Sequence, residues 1–109
     1  MKTVLYNSSV ARWLPAVLLA FAVASAHAET SSEASGRKQL LSCVACHGAD
    51  GIGKAPDYPN LRGQKAAYLE KQLKAYRSGE RVSPDMSRMA RGLSDADIRY
   101  IAEFFANLK

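Results

Sequence analysis

The sequence has little of the material that many small proteins use to hold a fold together. Its 109 residues include only two cysteines and two histidines. No segment shows the alternating apolar and polar residues of a half-buried strand, and no internal repeat is present. The basic residues form no dense stripe interleaved with aromatic residues, and the longest apolar run falls short of the roughly 20 residues that span a bilayer. These absences argue against a β-sheet fold, nucleic-acid binding and a permanent membrane anchor.

The N-terminal segment, residues 1–28, has the pattern of an export signal. Its features are a positive start, an apolar run and an A-x-A cleavage site, contributed by Lys2 and Arg12, by residues 13–24, and by Ala26 with Ala28. We predict cleavage after Ala28, which places residues 29–109 in the periplasm with no stable membrane insertion. Cleavage removes two of the 15 basic residues and none of the 10 acidic ones, so the formal charge falls from +5 to +3.

The remaining chain is predicted to be all-α, with three main helices and two long loops. In chain order we expect a flexible leader at 29–35, a helix at 36–45, a loop at 48–63, a helix at 65–78, an irregular segment at 79–92 and a last helix after Ser94. Ser94 is a good N-cap, and Asp97 completes a pattern like a capping box. Loops this long in so small a domain need something to fill them.

Cys43, Cys46 and His47 form a C-x-x-C-H motif, which is the attachment pattern for c-type haem. Two thiols three residues apart at the end of a helix can each form a thioether with one porphyrin. The next residue then lies beneath the iron, where its imidazole can bind axially. The motif therefore predicts one covalently attached haem c, with His47 as an iron ligand.

Three other uses of this motif explain less. A structural zinc site needs four ligands, and only these three remain after the signal peptide is removed. A thioredoxin-like redox pair needs a βαβ context, which an all-α chain lacks. A simple disulfide is possible in an oxidising compartment, but it would leave the histidine and the long loops unexplained.

A second axial ligand has to come from another side chain. No other histidine survives cleavage, and a methionine thioether is a known partner of histidine at haem iron. Met86 and Met89 both lie in the irregular segment 79–92. Spacing does not choose between them at this point, and either could instead pack the core.

The mature chain resembles the class I cytochromes c, in particular the bacterial single-haem types related to cytochrome c-553 and to the halves of cytochrome c4. The resemblance covers residues 36–108. Its matching residues are Cys43 to Gly48, Asp50-Gly51, Ala55-Pro56, Pro59-Asn60-Leu61, Gly63-Gln64, Tyr68-Leu69, Lys71-Gln72-Leu73, Met86, Met89 and Leu93-Ser94-Asp95.

The resemblance implies a small cytochrome c domain at 36–109, with its loops wrapped around one haem. It also implies roles for single residues. Met86 holds the place of the distal methionine, which leaves Met89 for the core. Pro56 holds the place of the proline whose carbonyl accepts the ring N–H of the haem histidine. Gly36 and Phe104 match the positions at which the first and last helices cross.

With His47 and Met86 on the iron no position stays open for a substrate, so we expect a monomeric one-electron carrier and not an enzyme. Its partners would be redox proteins, met through a mildly basic face for which Lys54, Arg62 and Lys65 are candidates. Two alternatives stay open. One is a haem c subunit held permanently on a dehydrogenase or oxidase, and the other is a five-coordinate haem enzyme or gas binder. Candidate contacts to the haem propionates are Arg62, Tyr68 and Arg77.

Overall fold

The computed structural model describes residues 14–109, with side chains from residue 31 onward. The chain divides into two compact units, Met1–Thr30 and Ser31–Lys109, and all packing described below lies within the second. Lys2, Arg12 and the first residue of the predicted apolar run lie outside the described residues. Between residues 14 and 109 the structure contains four helices and no strand: α1 Leu14–His47, α2 Ala66–Ser78, α3 Pro84–Ala90 and α4 Asp95–Asn107. No helix in this described part combines the length and apolarity needed to cross a membrane.

Helix α1 differs from the prediction at its start. Residues 29–35, expected as an irregular leader, continue the helix that ends at His47. Gly36 lies directly against Tyr100 of α4, since a Cβ on Gly36 would come within 2.6 Å of the Tyr100 ring. The expectation that Phe104 makes this crossing is therefore wrong by one helical turn. Cleavage after Ala28 stays a prediction.

A short helix, α3, occupies part of the segment that was predicted to be irregular. Ser83 is its N-cap and accepts a hydrogen bond from the Met86 N–H at 3.4 Å, and Pro84 stands in its first turn. Serine followed by proline is a common helix start, so the sequence did contain a signal for this element. Helix α2 ends at Gly79, as predicted.

Helix α4 begins with the capping box that the sequence predicts. The Ser94 N–H donates to Asp97 Oδ2 at 2.9 Å, and the Asp97 N–H donates to Ser94 Oγ at 3.0 Å. The apolar face of α4 forms the centre of the core with residues of the other three helices and of the turn before α4. The fully or largely buried members are Leu40, Leu69, Ala90, Leu93, Ile98, Ile101, Ala102 and Phe105.

Candidate functional site

The C-x-x-C-H motif occupies the last turn of α1. Cys43 and Cys46 are free thiols and are half-buried. Burial raises the pKa of the Cys43 thiol to about 11, against the lowering effect of a backbone hydrogen bond. Gly48 follows the motif with φ of +82°, a left-handed conformation that glycine adopts without strain, so the chain turns sharply out of the helix after His47.

The imidazole of His47 is buried, with 7% of the residue exposed. Its Nδ1 lies 2.8 Å from the main-chain oxygen of Pro59. A carbonyl oxygen only accepts, so Nδ1 carries a proton, and in the neutral ring the lone pair is then on Nε2. Nε2 makes no hydrogen bond to any residue in the described part of the chain. An imidazole in this tautomer, with Nδ1–H held by a carbonyl, has the form in which histidine binds a metal.

The carbonyl on Nδ1 belongs to Pro59, and the prediction of Pro56 for this contact is wrong. Residues 55–58 form a tight turn, closed by a 3.0 Å hydrogen bond from the Tyr58 N–H to the oxygen of Ala55. Pro56 occupies an exposed corner of this turn, where proline is favoured. The chain returns to the histidine only after the turn, which brings Pro59 to the ring.

The loop at 48–63 is held by hydrogen bonds at its far end. The oxygen of Gly51 accepts from the N–H groups of Leu61 at 2.8 Å and Arg62 at 3.1 Å. The next N–H, of Gly63, donates to the oxygen of Phe105 on α4 at 2.9 Å. These bonds close the loop on itself and tie it to the last helix.

Helix α3 brings Met86 to the same region as His47. In the same region the pKa of Tyr58 is raised, first by the charge of Cys46 and, among smaller causes, by that of Asp85. Met86 is half-buried, as is Met89, and neither belongs to the core cluster. The structure therefore does not place Met89 in the core, where it was expected.

Of the three candidates for propionate contacts, the two arginines bond to other groups of the protein and the tyrosine is exposed. Arg62 donates through Nε at 2.8 Å, and also through Nη2, to the main-chain oxygen of Lys109. Arg77 donates to the oxygen of Leu93 at 2.9 Å and to Asp95, and Tyr68 is 47% exposed. Of the three residues suggested for a basic face, Lys54 and Lys65 are exposed, whereas Arg62 is engaged with Lys109.

The donor set at the end of α1 fits a covalently attached haem. Two half-buried thiols three residues apart precede an imidazole whose Nε2 has no protein partner among the described residues. The loops before and after α2 also expose large apolar side chains that a porphyrin could cover, namely Ile52 at 39% and Val82 at 81%. A zinc site fits less well, because no three His, Cys, Asp or Glu side chains converge on one point within the described residues.

Comparison with known proteins gives consistent matches. The family described as cytochrome c matches residues 33–109. Cytochrome c-554(548) from Halomonas halodenitrificans is 52% identical over 77 residues, which cover 68% of this chain and 93% of that protein. The cytochrome subunit of sulfide dehydrogenase from Chlorobaculum tepidum is 38% identical over 77 residues, 71% of this chain and 69% of that protein.

A solved structure shows the same fold. The crystal structure of reduced recombinant cytochrome c4 from Pseudomonas stutzeri aligns with a TM-score of 0.57 at 35% identity. The alignment covers 62% of this chain and 38% of that one, so the chain spans less than half of a cytochrome c4. The predicted all-α class I cytochrome c fold is confirmed. On the family match, the identities and the motif at Cys43 to His47, the chain belongs to the cytochrome c family of electron-transfer proteins, which bind haem c covalently.

Proposed function

We propose that residues 29–109 form a periplasmic one-electron carrier with a single haem, attached through Cys43 and Cys46 and ligated by His47 and Met86. The observation that carries the proposal is the 2.8 Å contact between His47 Nδ1 and the Pro59 oxygen. It orients the ring and leaves Nε2 as the metal donor at the end of the attachment motif. The haem supplies reversible one-electron chemistry at its iron.

The residues of the chain decide what this group can do. The two thioethers hold it in a domain too small to retain it by packing alone. With both His47 and Met86 as iron ligands, the haem would have no position left for oxygen or peroxide to bind. Methionine as the second ligand also favours a higher reduction potential than a more electron-donating side chain would. These properties belong to a carrier and not to a catalyst.

Partners would be redox proteins with acidic surfaces. Lys54 lies within the loop at 48–63, called the attachment loop below, Lys65 lies just after it, and both side chains are exposed. A mild positive charge there would steer encounters without making them long-lived, as electron transport requires. We expect the carrier to be a monomer.

Methionine ligation is tested with Met86→Ala and the matched control Met89→Ala. Loss of the thioether from iron should abolish the weak absorption band at the red edge of the visible spectrum and open the iron to carbon monoxide. Met89→Ala, three residues along the same short helix, should keep the band and bind no carbon monoxide. A wild-type protein that is high-spin and binds carbon monoxide without denaturation would instead support the five-coordinate alternative.

Export and attachment are tested together by the mass of the native protein. The expected mass is that of residues 29–109 plus one haem. A mass that retains residues 1–28, or that lacks a haem, would contradict the proposal. Expression without the signal segment is the control, since haem attachment to an exported cytochrome should then fail.

A permanent subunit of a larger enzyme is the second candidate, because one relative is a cytochrome subunit of sulfide dehydrogenase. Both candidates predict the same iron ligands, so spectra do not separate them. Size-exclusion chromatography of a native periplasmic extract distinguishes the free carrier from the subunit. Elution at the size of a small monomer supports the free carrier, and co-elution with a large enzyme in a fixed ratio supports the subunit.

A further inference from the structure

Arg62 links the attachment loop to the end of the chain described here. Its Nε donates to the main-chain oxygen of Lys109 at 2.8 Å, and its Nη2 donates to the same oxygen. Arg62 is exposed, so the contribution of this side chain is the link and not buried area.

Hydrogen bonds also hold the residues on either side of Arg62 in place. Leu61 and Arg62 donate their N–H groups to Gly51 within the loop, and Gly63 donates to Phe105 on α4. Asn60 accepts from the Gly53 N–H through Oδ1 at 2.8 Å. The segment from Asn60 to Gly63 is therefore bonded on one side to the loop and on the other to the last helix.

This segment determines where the Pro59 carbonyl lies. Pro59 is exposed, so packing does little to hold it, and its position depends on the hydrogen bonds of the residues that follow. Its oxygen contacts His47 Nδ1, while the same imidazole and the ring of Phe105 form a T-shaped pair. The contacts form a closed path from His47 through Pro59, Gly63 and Phe105 back to His47.

We propose that Arg62 is a positioning residue for the haem histidine: by tying the loop to Lys109 it keeps the Pro59 carbonyl on His47 Nδ1, and so adjusts the reduction potential. The inference rests on the proposed function, because it takes His47 as an iron ligand. A firm hydrogen bond from Nδ1–H makes the imidazole more electron-donating, which favours ferric iron and lowers the potential. Loosening the loop should therefore raise it.

A nearby positive charge acts in the opposite direction. The positive charge of an arginine near the haem stabilises the reduced state. Removing that charge therefore lowers the reduction potential, but salt screens this effect. At about 1 M ionic strength the screening length is about 3 Å, so the charge effect of an exposed arginine largely disappears. A change in hydrogen-bond geometry persists in salt. The sign of the shift at high salt therefore separates the two roles.

The experiment uses the haem-loaded protein with Arg62→Ala and the control Arg99→Ala, which removes an exposed arginine from α4. Two quantities are measured: the reduction potential at about 1 M salt, and the exchange rate of the His47 Nδ1–H by NMR of the ferrous protein. In Arg62→Ala the potential should rise and the exchange should accelerate on the order of tenfold, the usual size for loss of a hydrogen bond from a charged group. Arg99→Ala should leave both at their wild-type values.

Three results would overturn the inference. One is an unchanged exchange rate in Arg62→Ala, another is a potential at or below wild type in high salt, and the third is an equal effect of Arg99→Ala. Failure of the proposed function looks different, because the wild-type protein itself would then lack a haem or the low-spin spectrum. The inference alone fails when the wild type is a normal low-spin cytochrome and Arg62→Ala matches it in both measurements.

Discussion

The ring of Phe105 meets the imidazole of His47 edge to face, with centroids 6.3 Å apart and planes at 74°. Phe105 has no exposed surface, and its oxygen accepts the Gly63 N–H at 2.9 Å. One residue of the last helix thus supports the end of the first helix through its side chain and the attachment loop through its main chain. Packing of the core and orientation of the histidine are therefore coupled at this position.

Truncation of Phe105 should be among the most costly single changes in the core. Phe105→Ala is expected to lower the free energy of unfolding by about 3–5 kcal/mol, because it removes a fully buried ring and leaves a cavity beside His47. Phe104→Ala is the matched control, since Phe104 is only half-buried, and it should cost less. Denaturant unfolding followed by circular dichroism gives both values. Equal costs would contradict the central role of Phe105.

Gly36→Ala should destabilise the contact between α1 and α4. The new Cβ would lie 2.6 Å from Cγ and 2.7 Å from Cβ of Tyr100, atoms at the base of the side chain that cannot swing away. We expect a loss of about 1–3 kcal/mol, enough to outweigh the better helix propensity of alanine. Gly92→Ala is the control, because a Cβ there meets no atom within 4 Å. A thermal melt in which Gly36→Ala is at least as stable as wild type would refute this reading of the helix crossing.

Asp97 should stabilise the fold in a manner that depends on pH. It is 4% exposed, and burial opposes its ionisation, but hydrogen bonds from Ser94 and the Ser35 hydroxyl together lower its pKa. Its Oδ2 accepts from Ser94, while Oδ1 has no donor at full hydrogen-bonding geometry. A carboxyl whose pKa is lower in the folded state contributes above its unfolded value of about 3.9 and loses that contribution as pH falls through the folded value.

Asp97→Asn should therefore cost about 1 kcal/mol near neutral pH through the damaged capping box. The difference in unfolding free energy between variant and wild type should become smaller below about pH 4, as the wild-type carboxyl also becomes neutral. Urea midpoints measured for both proteins across this range give the result. A gap that stays constant with pH would show that the charge of Asp97 does not contribute.

Arg77 should contribute more to folding stability than Asp95, its ion-pair partner. It donates to the buried turn through the Leu93 oxygen at 2.9 Å and to the more exposed Asp95 at 2.7 Å. Arg77→Ala is expected to cost about 1.5–3 kcal/mol, the usual range for a hydrogen bond from a charged donor, because the Leu93 carbonyl loses its partner. Asp95→Ala should change stability little, since the pair is a surface one that salt screens. Equal losses in the two variants would mean that the ion pair dominates.

The local features of the fold could be predicted from the sequence because each depends on neighbouring residues. The capping box of α4 needs only Ser94 and Asp97, three positions apart, and Gly79 ends α2 by its own conformational freedom. The signal for α3 was also local, in Ser83 and Pro84, and was overlooked because the segment is short. Cys43, Cys46 and His47 form a haem attachment motif through spacing alone, and the family match is consistent with it.

Contacts between residues far apart in the sequence could not be predicted in this way, because they depend on the tertiary structure. The family resemblance suggested Pro56, but the turn at 55–58 delays the return of the chain and brings Pro59 to the ring. The helix crossing involves Tyr100 and not Phe104, because the angle and offset of two packed helices decide which turn faces Gly36. By itself the sequence determined the all-α class, the helix ends at Gly79 and Ser94 and the haem attachment chemistry, all of which act over a few residues. Only the packed chain decided which carbonyl holds His47 and which ring lies beside it, since those choices depend on loop closure and side-chain volume across the whole domain.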